Sequence, residues 1–293
     1  MDLRRTIEEL TGRSVARLSP LGGGCIADVR RVDFADGLAP AVVKHDDGSA
    51  ASTLECEAFM LRYLARRSRL PAPEVLAAGR GVLLLSFVET SGGITTDAQR
   101  HAAELLADLH AISPEPPNER RFGFERDTVI GPLPQPNGWM DRWTDFFRER
   151  RLLPMAETAR RRGGISGATL ERLERLAARL GELINEPAHP SLIHGDVWSG
   201  NVLCREGRVA AFIDPAIAYA HPEQELAFTT LFGTFGRAFF DRYRELRPIP
   251  PGFDDGPRPR RDVYNLYPLL VHAALFGPSY GADVDSIVRR MGF

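Results

Sequence analysis

Lysine is almost missing from this sequence. Of 37 basic residues in 293, only Lys44 is lysine and all the others are arginine. Codon bias toward arginine explains the depletion, yet it makes the survivor informative. A surface cation can be either residue, whereas a compact point charge on a thin stem cannot be replaced by a guanidinium. Lys44 is therefore a candidate site residue. Cysteine is scarce too: Cys25, Cys56 and Cys204 form an odd set without metal-ligand spacing, which suggests neither a disulfide framework nor a zinc site. No apolar run reaches the roughly 18 residues of a membrane span. The opening "MDLRRTIEEL" has no apolar signal core, so a reducing cytoplasm is the expected compartment. A formal net charge of -2 gives no reason to expect nucleic acid or an anionic membrane as partner.

The hydrophobic fraction of 43% and charged fraction of 26% are those of a soluble globular chain, long enough for two lobes and a sizeable core. Short β-like runs alternate with turn signals in the first third: "VARLSPL", "CIADVRRV", "APAVVKHD", "EVLAAG" and "GVLLLSFV". Residues 50–67 read as a helix with Leu54, Ala58, Leu61 and Ala65 in one apolar stripe. After a hinge near 86–93 the pattern becomes helical, near 95–112, 139–151 and 167–184. The tail is also helical, except for a break at 247–259. Residues 113–137 read as an ordered loop, because Phe122, Phe124 and Ile130 need a core to pack in. The expected architecture is α+β and bilobal. A small antiparallel sheet with one helix occupies 1–89 and a larger, mainly helical lobe 90–293. The cleft between two such lobes is a preferred ligand site.

"LIHGDVWSGNVL" at 192–203 is the stretch richest in chemistry. Asp196 is followed by Asn201 and then by Asp214, with the β-like pair "NVLC" and "VAAFID" between them. Phosphoryl transfer needs a carboxylate to orient the attacking hydroxyl and oxygen ligands to hold magnesium against phosphates. These three residues supply that set, at the spacing seen in protein-kinase-like enzymes. The glycine turn Gly22, Gly23 and Gly24 is short enough for backbone N–H groups to approach a phosphate, and Gly24 precedes Lys44 by twenty residues. Glu57 shares a helix face with Leu61 and Leu64 and is the expected partner of Lys44, whereas Glu55, about 200° around the helix, faces solvent. Ser86, Phe87 and Val88 of the hinge complete the candidate nucleotide contacts.

The chain resembles the fructosamine kinase (ketosamine-3-kinase) family, a protein-kinase-like branch near aminoglycoside and choline kinases. "GGGCI", "PEVLA", "FGFERDTVIGPLPQPN", "DFFRERRLLP", "HGDVWSGN" and "ELAFTTLFG" carry the likeness, over about residues 7–291. It implies an ATP- and Mg²⁺-dependent kinase acting on the 3-hydroxyl of ketoamines, small or protein-borne, in deglycation. Asp196 then looks like the base, Asn201 and Asp214 the metal ligands, and Lys44 with Glu57 the phosphate-positioning pair. The rival in the same chemistry is an aminoglycoside- or choline-type kinase. The rival from another class is an inactive nucleotide-binding module, against which the complete set of five residues argues. Thr128 stands where asparagine is expected after "ERD", and Glu225 where aspartate is usual before "LA".

Further residues divide between chemistry and packing. Trp198 either lines the sugar pocket or wedges the loop. Gln135 and Asn137 are candidates to reach a polyhydroxyl substrate. Cys25, at the tip of the glycine turn, either fits the turn or acts as a redox-sensitive thiol, which would allow a linked dimer beside the monomer. His194 is expected to brace the loop, His110 to pack within its helix and His272 to lie in the core. The arginine runs 148–151 and 160–162 read as solvated helix faces.

Overall fold

The structure, a computed structural model, describes residues 2–22, 28–46, 53–79 and 81–293. Helix α1 (Leu3–Thr11) leads into strands β1 (Val15–Pro20), β2 (Asp28–Phe34) and β3 (Ala41–His45). Helix α2 (Leu54–Arg67), β4 (Val75–Gly79) and β5 (Val82–Ser86) follow. The five strands form one antiparallel sheet in the order β1-β2-β3-β5-β4. Alternation along β5 explains why both faces are covered. Val82 and Leu84 pack with Ile7 of α1, while Leu83 and Leu85 pack with Leu54, Ala58 and Leu61 of α2. Helix α1 is thus a second helix on this lobe, beyond the one expected from sequence. Its ends are set by Asp2, whose carboxylate accepts from Arg5 N, and by Gly12 at φ 67°.

The stripe of α2 differs by one position from the sequence reading. Leu64 is buried and Ala65 exposed, because α2 turns a second face, with Met60 and Leu64, into the core of the larger lobe.

That lobe begins with α3 (Thr96–Leu109). The segment read as a loop carries a small hairpin, β6 (Thr128–Ile130) with β7 (Leu133–Gln135), and Phe122, Phe124 and Ile130 are buried as their apolarity requires. Next come α4 (Trp143–Phe146), a π-helical turn (Phe147–Leu152) and α5 (Leu153–Arg161), then α6 (Gly167–Ala178) and α7 (Leu180–Leu183). Strand β8 (Ser191–Ile193), a short 3₁₀ turn (Ser199–Asn201), β9 (Val202–Arg205), β10 (Arg208–Phe212) and β11 (Ala218–Ala220) hold the candidate site. Helices α8 (Pro222–Leu231), α9 (Arg237–Leu246), α10 (Arg260–Phe276) and α11 (Pro278–Arg290) close the fold. No helix among the described residues is long and apolar enough to cross a membrane.

Candidate active site

Antiparallel pairing of β8 with β11 (Ile193 opposite Ala218, Ser191 opposite Ala220) closes residues 194–217 into one excursion. Asp196 leaves it from one end and Asp214 from the other. Cross-links inside the excursion fix their separation: Ala216 N donates to His194 O at 2.7 Å, and Ile213 N to Asn201 O at 3.0 Å. Gly195 is required here. Its φ is 88°, and a Cβ would come within 2.1 Å of Ala216 O. Asp214 itself adopts φ 56°, a left-handed conformation that aspartate tolerates better than most residues.

The Asn201 amide nitrogen donates to both the backbone oxygen and Oδ2 of Asp196, each at 2.9 Å. Those bonds orient the carboxylate and use the Asn201 amide nitrogen, not its carbonyl oxygen. Asp196 is half-buried deep in the cleft. Burial and the neighbouring Asp214 charge push its pKa up to about 8, against the opposing bond from Asn201.

Lys44 reaches across from β3. Its ammonium lies 2.7 Å from Glu57 Oε1 and also contacts Asp214 Oδ1. Burial works against its charge, but Glu57 and Asp214 together raise the pKa above the usual lysine value. Burial likewise raises that of Glu57, opposed by Lys44. Glu55, by contrast, is exposed. The Lys44 ammonium therefore bridges Glu57 and Asp214, and the Asp214 charge is also felt by Asp196.

At the hinge, Ser86 pairs with Glu74 through both backbone and hydroxyl, at 2.8 and 2.9 Å. Phe87 lies under the Arg31 guanidinium at 4.6 Å, and Val88 is half-buried. Gly22 is exposed; Gly23, Gly24 and Cys25 lie outside the described residues. The Trp198 ring leans on Gly200, where a Cβ would meet it at 2.4 Å, and stands edge-on to Phe232 at 6.1 Å. It stays half-buried beside Asp196.

Several expectations need correction. Gln135 and Asn137 do not face a substrate: both are buried, and their amides serve an interior layer. Both donate to Thr128 Oγ1, Gln135 also donates to Ala216 O and accepts from Tyr267, and Asn137 accepts from Arg151. Thr128, standing where asparagine is expected, is the hub of that layer. Arg151, read as solvated, is 1% exposed, and burial pushes its pKa down to about 10. His272 is half-buried, its Nδ1 bonded to Pro268 O at 2.8 Å. The bracing role expected of His194 holds: it is fully buried, and Asp196 N donates to its Nδ1 at 3.4 Å.

A relay behind the loop was not evident from sequence. Gly195 N donates to Glu225 Oε1 at 2.6 Å, Glu225 Oε2 bonds His110 Nε2 at 2.8 Å, and His110 Nδ1 bonds the Tyr243 hydroxyl at 2.7 Å. The only available signal was Glu225 standing in place of aspartate, since His110 and Tyr243 lie far away in the chain.

Comparison with known proteins identifies the family. The family model described as fructosamine kinase matches residues 1–292. A probable ketoamine kinase of Synechocystis is 31% identical over 98% of this chain and 95% of its own. The chloroplastic protein-ribulosamine 3-kinase of Arabidopsis thaliana is 30% identical over 94% and 82%. A crystal structure from Thermobifida fusca, provisionally named a fructosamine-3-kinase, superposes with a TM-score of 0.84 at 33% identity, covering 99% of this chain and 98% of that one. An aminoglycoside phosphotransferase in complex with ADP and hygromycin B shares the fold alone, with a TM-score of 0.66 at 19% identity and full coverage of both chains. The fold is kinase-like, and the chain belongs to the fructosamine kinase family.

Proposed function

We propose that this protein transfers the γ-phosphoryl group of ATP to the 3-hydroxyl of a ketoamine, with ribulosamine or erythrulosamine adducts preferred. The resulting 3-phosphate eliminates phosphate and releases the amine, which makes the role one of deglycation. The observation that carries this reading is the convergence of Lys44, Glu57, Asp196, Asn201 and Asp214 on one cleft in a chain of this family. The names of the Synechocystis and Arabidopsis relatives point to the same substrate class.

Asp196 orients the acceptor hydroxyl and takes its proton, held in place by Asn201. Lys44, braced by Glu57, positions the phosphates. The Asn201 carbonyl oxygen and the Asp214 carboxylate are the ligands for Mg²⁺, which neutralises phosphate charge when bound. Ser86, Phe87, Val88 and the turn at Gly22–Gly24 surround the nucleotide, and Trp198 offers its face to the cationic amine of the substrate. The lobes divide near residue 89. Glycated proteins as well as free ketoamines are substrates in this reading, and the free thiols Cys56 and Cys204 suit a reducing cytoplasm.

An ADP-release screen over ribulosamine, erythrulosamine, fructosamine, choline and kanamycin tests it, with phosphorus NMR to locate the phosphate on O3. Asp196→Asn is expected to keep ATP affinity while kcat falls by roughly 10²–10⁴. Turnover of choline or kanamycin, with none of any ketoamine, would overturn the substrate assignment.

A further inference from the structure

Two arginine runs that read as solvated in the sequence meet at one cavity. It measures about 150 Å³ and is lined by Pro134, Pro136, Arg150, Arg151, Thr158 and Arg161, among others. Arg150 and Arg151 sit on the π-helical turn, a local distortion that recurs where side chains are aimed for function. Arg161 comes from the last turn of α5.

Arg151 is the unusual member. Its Nη1 donates to the carbonyls of Pro136 (2.6 Å) and Arg150 (2.9 Å), and its Nη2 to Asn137 Oδ1 at 2.6 Å. Its Nε is buried without a partner, and so is the Nε of Arg150. Among the described residues no carboxylate forms an ion pair with either guanidinium. Asp127 favours the Arg151 charge from a distance only. Glu157, the one acid lining the cavity, stands 3.6 Å from Arg161. Of the three guanidinium groups, only that of Arg161 has a carboxylate partner among the described residues. A buried cation without a counter-charge is costly, and an anion is what this arrangement lacks.

Size narrows the ligand. Pockets for drug-sized molecules run to roughly 300–1,000 Å³, and a water takes about 30 Å³, so this cavity admits one small ion with a few waters and excludes a nucleotide.

We propose that the cavity is an oxyanion site, binding free phosphate or sulfate between Arg150, Arg151 and Arg161. It is separate from the Lys44 cleft. The Thr128–Gln135–Asn137 layer intervenes, with Asn137 accepting from Arg151 at one end and Gln135 donating to Ala216 O at the other. An ion here braces, through that layer, the segment that carries Asp214.

Thermal melting with sodium sulfate, against sodium chloride at matched ionic strength, reads the site. A saturable rise in Tm is expected for the wild type and for Lys44→Met. The double variant Arg150→Gln/Arg161→Gln, with ATP turnover unchanged, should need at least tenfold more sulfate for the same rise. Glucose 6-phosphate, being too large, should give no saturable rise in Lys44→Met. Crystals soaked in selenate should show anomalous scattering among the three arginines. These cavity-rim replacements spare buried Arg151, whose removal threatens folding. A sulfate response unchanged in the double variant, or abolished by Lys44→Met, would overturn the proposal. So would glucose 6-phosphate acting as well as sulfate.

Discussion

Lys44 is the residue on which sequence and structure place the same weight. Its ammonium touches two carboxylates that come from different lobes, Glu57 on α2 and Asp214 after β10. A planar guanidinium cannot occupy that space with the same three-fold set of donors. Lys44→Arg is expected to lower kcat/KM by about 10²-fold or more, comparable to the loss of one transition-state donor, as steady-state kinetics would measure. Near-normal turnover would remove the single lysine from the machinery. His221 offers a residue-scale test of stability. It caps α8, its Nδ1 accepting from Glu223 N at 3.0 Å. Burial, then the charge of Arg260, pushes its pKa down to about 3. Below the ordinary value of about 6.5 the unfolded chain takes up a proton that the folded chain refuses. Stability from this group is therefore full above pH 6.5 and drains away as the pH falls toward 3, by up to about 1.4 kcal/mol per pH unit. His221→Asn puts a capping oxygen in place of Nδ1, without the titration. Urea unfolding at pH 7.5 and pH 5 should show the variant losing about 2 kcal/mol less than the wild type over that interval. Equal losses would contradict the assignment.

At the scale of elements, the excursion between β8 and β11 depends on backbone shape as much as on side chains. Gly195→Ala places a Cβ at 2.1 Å from Ala216 O on a φ of 88°. Backbone strain of that kind costs roughly 1–3 kcal/mol before the clash is counted. The expected result is a lowered urea midpoint together with lost turnover; a fully stable and active variant would refute the tight approach. The loop was legible in the sequence because its chemistry lies within twenty residues, from His194 to Asp214. The five strands were legible for a similar reason, each being a short alternating run punctuated by glycine or proline. What escaped depends on contacts between distant segments. Gln135 and Asn137 read as substrate contacts because polar residues in a Pro-rich loop suggest exposure, and only the folded chain shows Thr128, Tyr267 and Arg151 using their amides. Arg151 escaped in the same way, since its partners Pro136 O and Asn137 Oδ1 lie on another segment of the chain. Glu225 met His110 and Tyr243 only through the packing of α3, α8 and α9. Helix α1 is only nine residues long, too short for its apolar face to stand out in the sequence.

Across the whole molecule, α2 ties the lobes together. Leu54, Ala58 and Leu61 belong to the core beneath the sheet, while Met60 and Leu64 belong to the core of the larger lobe. Tyr63 adds a hydroxyl contact to Tyr219 at 2.8 Å, and Phe212 N donates to Pro71 O at 2.8 Å. Lobes sharing a helix in this way should unfold together, so calorimetry of the ligand-free protein is expected to show a single transition. Two resolved transitions would mean that the division near residue 89 separates independent units. The burial of Lys44 has a consequence of another kind. With 9% of its surface exposed, the molecule's one side-chain amine is sheltered inside the nucleotide cleft. Amine-directed esters and aldehydes find no other lysine to modify. A mass increment located at Lys44 by peptide mapping, and so told apart from reaction at the α-amine, would then act as a gauge of cleft occupancy without a mutant or a coupled assay.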